Sequence, residues 1–415
     1  MSEIFRLFAL GVITLLLAFP LAALTPQEAV DRAVDSRAIK GESSAIMITE
    51  LATGKRLAGH NTSLPLIPAS IMKSISTASL LSSVGHEYIY ETPVFAEGKI
   101  RDGVLEGNLV VVGQCDPSLN SKYINDIPSI VDEIVEALQK KDVTEIQGRI
   151  LIDESRFAGP AINPYWNSGD LGASYGTGTH PFNYDDNAQG KSSVKDPSEV
   201  FRRHLRSAFA KAGITLREEE VENPGRRQKL LTHRSAPVDE IMRSCMMRSD
   251  NQYAEAILRT FGKSVGEDGS TQAAARREME KWERSGAPME GVTIVDGSGL
   301  SRKNRLTAEF MTHVLGKMAS DPWYASFFPL AGQEGTLKKF LADTPLEGYV
   351  AMKTGSMSGI QCYAGYLLDD DYVPTHVIVV MLNDMTDRAA ARAQLSRMLL
   401  NIFAPSPAPE PLEEE

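Results

Sequence analysis

"PASIMKSIS", residues 68–76, decides how the rest of the chain is read. It opens a run with the look of a buried helix: Ile71, Ile75 and Ala78 recur at helical spacing, and Gly85 ends it. Lys73 stands inside that run, on the same helix face as Ser70 one turn earlier. A serine hydroxyl is a poor nucleophile until a base takes its proton. A lysine amine can be that base only where burial or a second cation lowers its pKa. A lysine in an apolar helix beside a serine therefore predicts an activated nucleophile. Alone the signal is weak, because a surface lysine snorkelling past an incidental serine gives the same letters.

Working outward, two more short motifs follow in order. Ser249-Asp250-Asn251 falls at a break between two predicted helices. Ser249 there can face a cleft and pass a proton to a leaving group, and Asn251 can donate to and accept from a substrate amide. The plainer reading, a cap on the helix "NQYAEAIL", is compatible with both roles. Lys353-Thr354-Gly355-Ser356 ends a predicted strand. An edge strand can pair with an extended peptide, a cation with hydroxyls suits a terminal carboxylate, and Gly355 allows close approach to the strand. The backbone N–H groups of Ser70 and Ser356 can together form an oxyanion hole. Lys353 also supplies the second cation that Lys73 needs.

The remaining sequence limits the alternatives. The 415 residues carry a net charge of −11, and no basic run offsets it, which argues against nucleic acid. No histidine spacing suits zinc, so no metal or other cofactor is expected. Cys115, Cys245 and Cys362 are too few, and odd in number, for a disulfide scaffold; buried thiols are expected. The first residues, with Arg6, an apolar stretch and small residues after Pro20, read as a cleavable export signal over 1–23. The competing reading is an uncleaved anchor. Residues 405–415 are proline-rich and acidic and read as disordered.

Residues 45–60 read as a hairpin. The stretch 85–235 has a different texture: short strands with turns, a Gly- and Asn-rich run, and one clear helix opening at Asp196-Pro197 with Phe201, Leu205, Ala208 and Phe209 on one side. It reads as a β-rich module inserted into a catalytic unit made of 24–84 and 236–404.

S-x-x-K, S-D-N and K-T-G in this order resemble the signature shared by penicillin-binding proteins and class A β-lactamases. "PLIPASIMK", "GQCDPSL", "VDGSGLSRKNRLT", "LAGQEGTLKK" and "KTGSMSGIQCYAGY" narrow it. The chain resembles the type-4 low-molecular-mass penicillin-binding proteins, the D-alanyl-D-alanine carboxypeptidase/endopeptidase family, over most of 26–403. The long insertion between the first two motifs fits that family, and a compact β-lactamase has no room for it. The smaller module that many relatives nest within the insertion is expected to be missing here. "DGSGLS" and Asp116 read as mainly structural turns.

The resemblance implies an α+β fold: an antiparallel sheet flanked by helices, with the cleft between sheet and helices. It implies peptidoglycan stem peptides as substrate, β-lactams as inhibitors, and a periplasmic location. In roles, Ser70 attacks the penultimate D-alanine carbonyl, Lys73 takes its proton and Ser249 relays one to the departing amine. Asn251 orients the peptide, while Lys353 and Thr354 hold the carboxylate beside Gly355 and Ser356. The rival readings are a serine β-lactamase and a silent peptidoglycan-binding protein.

Overall fold

The computed structural model describes residues 24–404; the expected signal (1–23) and acidic tail (405–415) lie outside the described residues. Helix α1 (Pro26–Val34) starts at Thr25, whose hydroxyl and the Glu28 carboxylate cap each other's backbone N–H groups. Strands β1 (Ser44–Glu50) and β2 (Arg56–His60) form the expected hairpin. A single 3₁₀ turn, Ala69–Ile71, leads into α2 (Met72–Val84). The chain then leaves through β3 (Ile89–Arg101), β4 (Val104–Val112), α3 (Ile130–Gln139), β5 (Glu145–Ile146) and β6 (Ile150–Asp153). A small β7–β8 ladder (Ala188–Gln189 with Ser192–Ser193), α4 (Pro197–Ala212), β9 (Thr215–Leu216) and β10 (Arg227–Pro237) follow. Four helices come next, α5 (Val238–Arg248), α6 (Asn251–Ser264), α7 (Thr271–Arg284) and α8 (Ala308–Met318). The last elements are β11 (Val350–Met357), β12 (Ile360–Leu368), β13 (Pro374–Leu382) and α9 (Arg388–Phe403).

The central sheet is antiparallel throughout, in the order β11-β12-β13-β1-β2. Both of its faces are buried. Val377, Val379 and Met381 face the cluster built on α2, α5, α6 and α8, and Ile378, Val380 and Leu382 face the cluster built on α1 and α9. That double burial is why "VIVVML" in β13 is an unbroken apolar run rather than an alternating one. Helix α2 is enclosed by the first cluster: every residue from Met72 to Leu81 is buried. Its polar residues are small, apart from Lys73.

The segment between α2 and α5 builds a second sheet, β10-β3-β4-β5-β9, with β6 alongside β4. Its core is separate from the other two. Two helices pack there, one more than the sequence reading foresaw. Helix α3 is capped by Ser129 and buries Ile130, Ile134 and Leu138 at successive i+4 positions. That short stripe was masked by the three acidic residues, Asp132, Glu133 and Glu136, between its apolar positions. Residues 185–193 make a 3₁₀ turn (Asp185–Asn187) and the β7–β8 ladder. All three cysteines are buried, unpaired thiols.

Candidate active site

The Lys73 Nζ lies 2.9 Å from the Ser70 Oγ, 2.6 Å from the Asn251 Oδ1 and 2.7 Å from the Ser298 carbonyl. Lys73 is wholly buried. Asn251 and Ser298 offer oxygen acceptors only. A neutral amine gives its two hydrogens to them and keeps its lone pair for the Ser70 hydroxyl. A charged amine donates to all three. The site therefore satisfies both protonation states without moving a heavy atom, and in the neutral state it aims the amine lone pair at the Ser70 hydroxyl.

The amide of Asn251 is held the right way round by its other end, because Nδ2 donates to the Tyr175 carbonyl at 2.8 Å. The Ser298 carbonyl is held by a turn. Glu255, one helical turn beyond Asn251 on α6, accepts the backbone N–H groups of Gly297 and Ser298 at 3.0 and 2.9 Å. Asp296 accepts from the N–H groups of Gly299 and Ser301, from Asn304 and from Trp166. Gly299 is required here: its φ is +78° and a Cβ would sit 1.9 Å from the Ala69 carbonyl. The D-G-S-G turn thus presses on the residue that precedes the nucleophile. Ala69 itself has φ +47°, a conformation that costs a non-glycine residue about 1–2 kcal/mol.

The electrostatics follow from burial. Burial pushes the Lys73 amine down, while Cys245, Asp296, Asp250 and Glu255 push it back up. Burial pushes Lys353 well down, and the Lys73 charge adds to it. The sequence reading had Lys353 lowering Lys73. Both amines are pushed down; the repulsion between them acts on Lys353, and the carboxylates gather around Lys73. Burial, with Asp296 next, raises the Glu255 carboxyl to about 8.

Strand β11 is the edge of the sheet. Its beginning is covered, as Ala331 N–H donates to the Val350 carbonyl and Met352 N–H to that of Pro329. These even-numbered residues point away from β12. By the alternation of an antiparallel strand, Thr354 and Ser356 also turn their backbone groups to the open edge. Gly355 is where strand and nucleophile meet: a Cβ there would lie 2.6 Å from the Pro68 carbonyl and 3.0 Å from the Ser70 N. The close approach predicted at this glycine is therefore made by the Ser70 turn itself. The Ser70 N thus lies against Gly355, the residue that precedes Ser356. Lys353 Nζ donates to the Thr354 carbonyl at 2.8 Å, and Thr354 Oγ1 to Thr336 Oγ1 at 2.8 Å. Ser249 holds a left-handed φ of 59° between α5 and α6, with its side chain partly exposed. Asp250 caps α6 through the Tyr253 N–H.

One wall of the cleft comes from the inserted stretch. Arg259, fully buried on α6, donates to the carbonyls of Ala158, Thr179 and Gly269. Asn163 donates to the Val295 carbonyl at 2.7 Å, and Ser301 Oγ to that of Tyr165 at 3.1 Å.

Ser70, Lys73 and Asn251 meet directly, Gly355 abuts the Ser70 turn with Lys353, Thr354 and Ser356 on the same strand, and Ser249 lies two residues before Asn251 with no side-chain bond to the others. The sequence reading missed Glu255, Thr336 and the carbonyls of Ser298 and Tyr175. Glu255 had a readable signal, its i+4 spacing from Asn251. "DGSGLS" was read as mainly structural, and its turn does set a main-chain acceptor on the base.

A nucleophile beside a buried amine, a second buried amine and an open strand edge define a serine acyl-transfer enzyme of the penicillin-recognising type. The model of the D-Ala-D-Ala carboxypeptidase 3 (S13) family matches residues 26–191 and 186–402, and the chain belongs to that family. It is a serine D-Ala-D-Ala carboxypeptidase of the type-4 penicillin-binding kind, as the motifs led us to expect. The D-alanyl-D-alanine carboxypeptidase of Actinomadura sp. (strain R39) is 24% identical over 82% of this chain and 78% of its own. The D-alanyl-D-alanine carboxypeptidase DacB of Haemophilus influenzae is 22% identical over 79% of this chain and 83% of its own. In structure, penicillin-binding protein 4 of Haemophilus influenzae superposes with a TM-score of 0.77 at 21% identity, covering 90% of this chain and 98% of the other. The expected α+β fold, an antiparallel sheet flanked by helices, is the observed one.

Proposed function

We propose that Ser70 is the nucleophile and Lys73 its base. The Ser70 hydroxyl proton passes to the Lys73 Nζ while Oγ bonds to the carbonyl carbon of the penultimate D-alanine. The N–H groups of Ser70 and Ser356 receive the oxyanion. Collapse breaks the C–N bond, and the departing amine takes the proton from Lys73 by way of Ser249. Asn251 orients the peptide amide, and the peptide lies along the open edge of β11. Lys353 and Thr354, next to Gly355, hold the terminal carboxylate. Water then attacks the acyl-enzyme with Lys73 again as base, and Ser70 is restored.

The substrate completes the base. Burial pushes both amines towards the neutral form, and the carboxylates near Lys73 oppose this there. An arriving carboxylate favours the charged form of Lys353. A charged Lys353 in turn disfavours charge on Lys73, which becomes the base when a substrate is present.

The substrate is the stem peptide of peptidoglycan, met after export through the signal at 1–23 into the periplasm, and the catalytic unit comprises 24–84 and 236–404 around the insertion 85–235. Beta-lactams occupy the same site. A fold relative from Bdellovibrio bacteriovorus, a predatory endopeptidase, is described as acylated by penicillin G. Among the described residues no helix is long and apolar enough to cross a membrane.

The observation that carries the reading is the pair of acceptors that use both hydrogens of a neutral Lys73 and leave its lone pair for Ser70. Labelling with a fluorescent penicillin tests it. One label should appear on a peptide containing Ser70 and vanish in Ser70→Ala; full labelling of Ser70→Ala overturns the assignment.

A further inference from the structure

A groove of about 570 Å³ lies beside the cleft, at the far end of β11 from the K-T-G motif. Trp323 and Tyr372 line it, and each is 62% exposed. Neither exposure serves the fold. An exposed aromatic pair over a groove marks a binding surface more often than chance packing. Tyr372 adds a second observation. It sits in the turn between β12 and β13 with φ +60°, where Asp369 Oδ1 accepts the N–H groups of Asp371 and Val373. Such a turn position suits glycine or asparagine, and a bulky ring there carries strain that the turn does not need.

The groove and the catalytic cleft are linked through neighbouring residues. Leu330 in its wall bridges Ala351 of β11. Glu334, which pairs with Arg243 at 2.9 Å, is two residues before Thr336, the partner of Thr354. The groove therefore lies on the side that holds the carboxylate of the departing group.

We propose that this groove binds a sugar of a second glycan strand when the bond being cut is a peptidoglycan cross-link. The inference rests on the function proposed above. In a cross-link the departing amine belongs to a second stem peptide, at its third residue, and that stem leads back to its own sugar. Three extended residues span roughly 10 Å. From Thr354 back to Val350, where β11 begins, is roughly 13 Å at the rise of a strand; residues 329–331 cover that part of the edge, so the stem passes over them towards the turn bearing Tyr372 just beyond. With the linkage between stem and sugar added, the two lengths agree. Two aromatic faces suit the apolar face of a sugar ring, and Arg243, Glu334 and Asp371 in the lining offer partners to its hydroxyls. The run Asp369-Asp370-Asp371 at the rim disfavours an anionic occupant such as a phospholipid surface. The groove thus adapts the enzyme to cutting cross-links as well as releasing terminal D-alanine.

The test compares two probes: a cross-linked muropeptide dimer carrying its disaccharides, and the same dimer stripped of sugars by an amidase. Trp323→Ala and Tyr372→Asn should each lower kcat/KM on the sugar-bearing dimer about tenfold, mostly through KM. Turnover of the stripped dimer and acylation by penicillin should stay at the parent level. Tyr372→Asn should also melt no lower than the parent, since asparagine accepts the left-handed turn. Equal loss on both dimers, loss on neither, or loss traced to a change in self-association overturns the groove assignment. A parent that is not acylated and cuts neither dimer nor a pentapeptide overturns the proposed function instead.

Discussion

The floor of the cleft and its inserted wall are built in opposite ways. The floor is side chains at regular spacing: Ser70 and Lys73 one turn apart on α2, Asn251 and Glu255 one turn apart on α6, and the K-T-G-S strand end. The wall is mostly main chain. Carbonyls of Ala158, Tyr165, Tyr175 and Thr179 accept bonds from Arg259, Ser301 and Asn251. A floor built on side chains leaves a pattern in the sequence. A wall that offers carbonyls leaves none, because every residue has one. The difference teaches where the site geometry is stored: the floor supplies the groups proposed to react, and the wall fixes one end of the Asn251 amide that meets Lys73.

Removing the pin between them is the severest way to break the comparison. Arg259→Met leaves the carbonyls of the buried residues Thr179 and Gly269, and that of Ala158, without this donor and should cost about 3 kcal/mol of stability. Thermal unfolding measures that. Proteolysis within 157–180 should become faster in the variant while α2 stays protected. Unchanged stability would mean that the wall stands without α6.

Asn251→Asp probes the joint itself. The carboxylate can neither donate to the Tyr175 carbonyl nor stay neutral beside Lys73. It raises the Lys73 pKa, so the pH–rate curve for penicillin acylation should move to higher pH, with a loss of about 2 kcal/mol near pH 7. A curve unmoved in pH contradicts the proposed partnership of Asn251 with Lys73.

His86 sharpens the comparison at the point where the chain leaves the catalytic floor for the insertion. Burial lowers its pKa, but bonds to Asp239 and Asp321 outweigh burial, and the net direction is upward. The folded pKa then exceeds the unfolded one. The stabilisation is complete below about pH 6.5, the unperturbed value, and is lost as pH rises through the folded pKa. His86→Gln should flatten the melting temperature of the protein over that window by a small amount, given the partial exposure of the site. An unaltered slope would show that the clasp contributes nothing.

Much of the site was legible because its chemistry needs particular side chains at helical spacing. The central sheet was legible from apolar runs such as "VIVVML". Helix α3 was not, since its stripe is only ten residues long and strongly charged between the apolar positions. Nor was the stretch from 157 to 193, which holds the Gly- and Asn-rich run from 166 and has no period of either kind. Its fixed points are the buried side chains of Trp166, Asn187 and Asn163, each defined by a partner distant in sequence or by backbone. The balance between the two lysines was hidden for a third reason: it depends on carboxylates drawn from α6 and the D-G-S-G turn, which only the fold assembles.

The central claim is that Lys73 is the base and Lys353 the anchor for the carboxylate. Acylation rates of the parent, Lys73→Arg and Lys353→Arg by penicillin across pH test it most directly. Arginine keeps the charge but is not a base at any working pH. Lys73→Arg should lose about 3 kcal/mol or more of transition-state stabilisation at every pH, and the rising limb of the parent's profile should disappear. Lys353→Arg should lose less and keep that limb. A Lys73→Arg enzyme that acylates as fast as the parent, or a Lys353→Arg enzyme that is the more damaged of the two, contradicts the account.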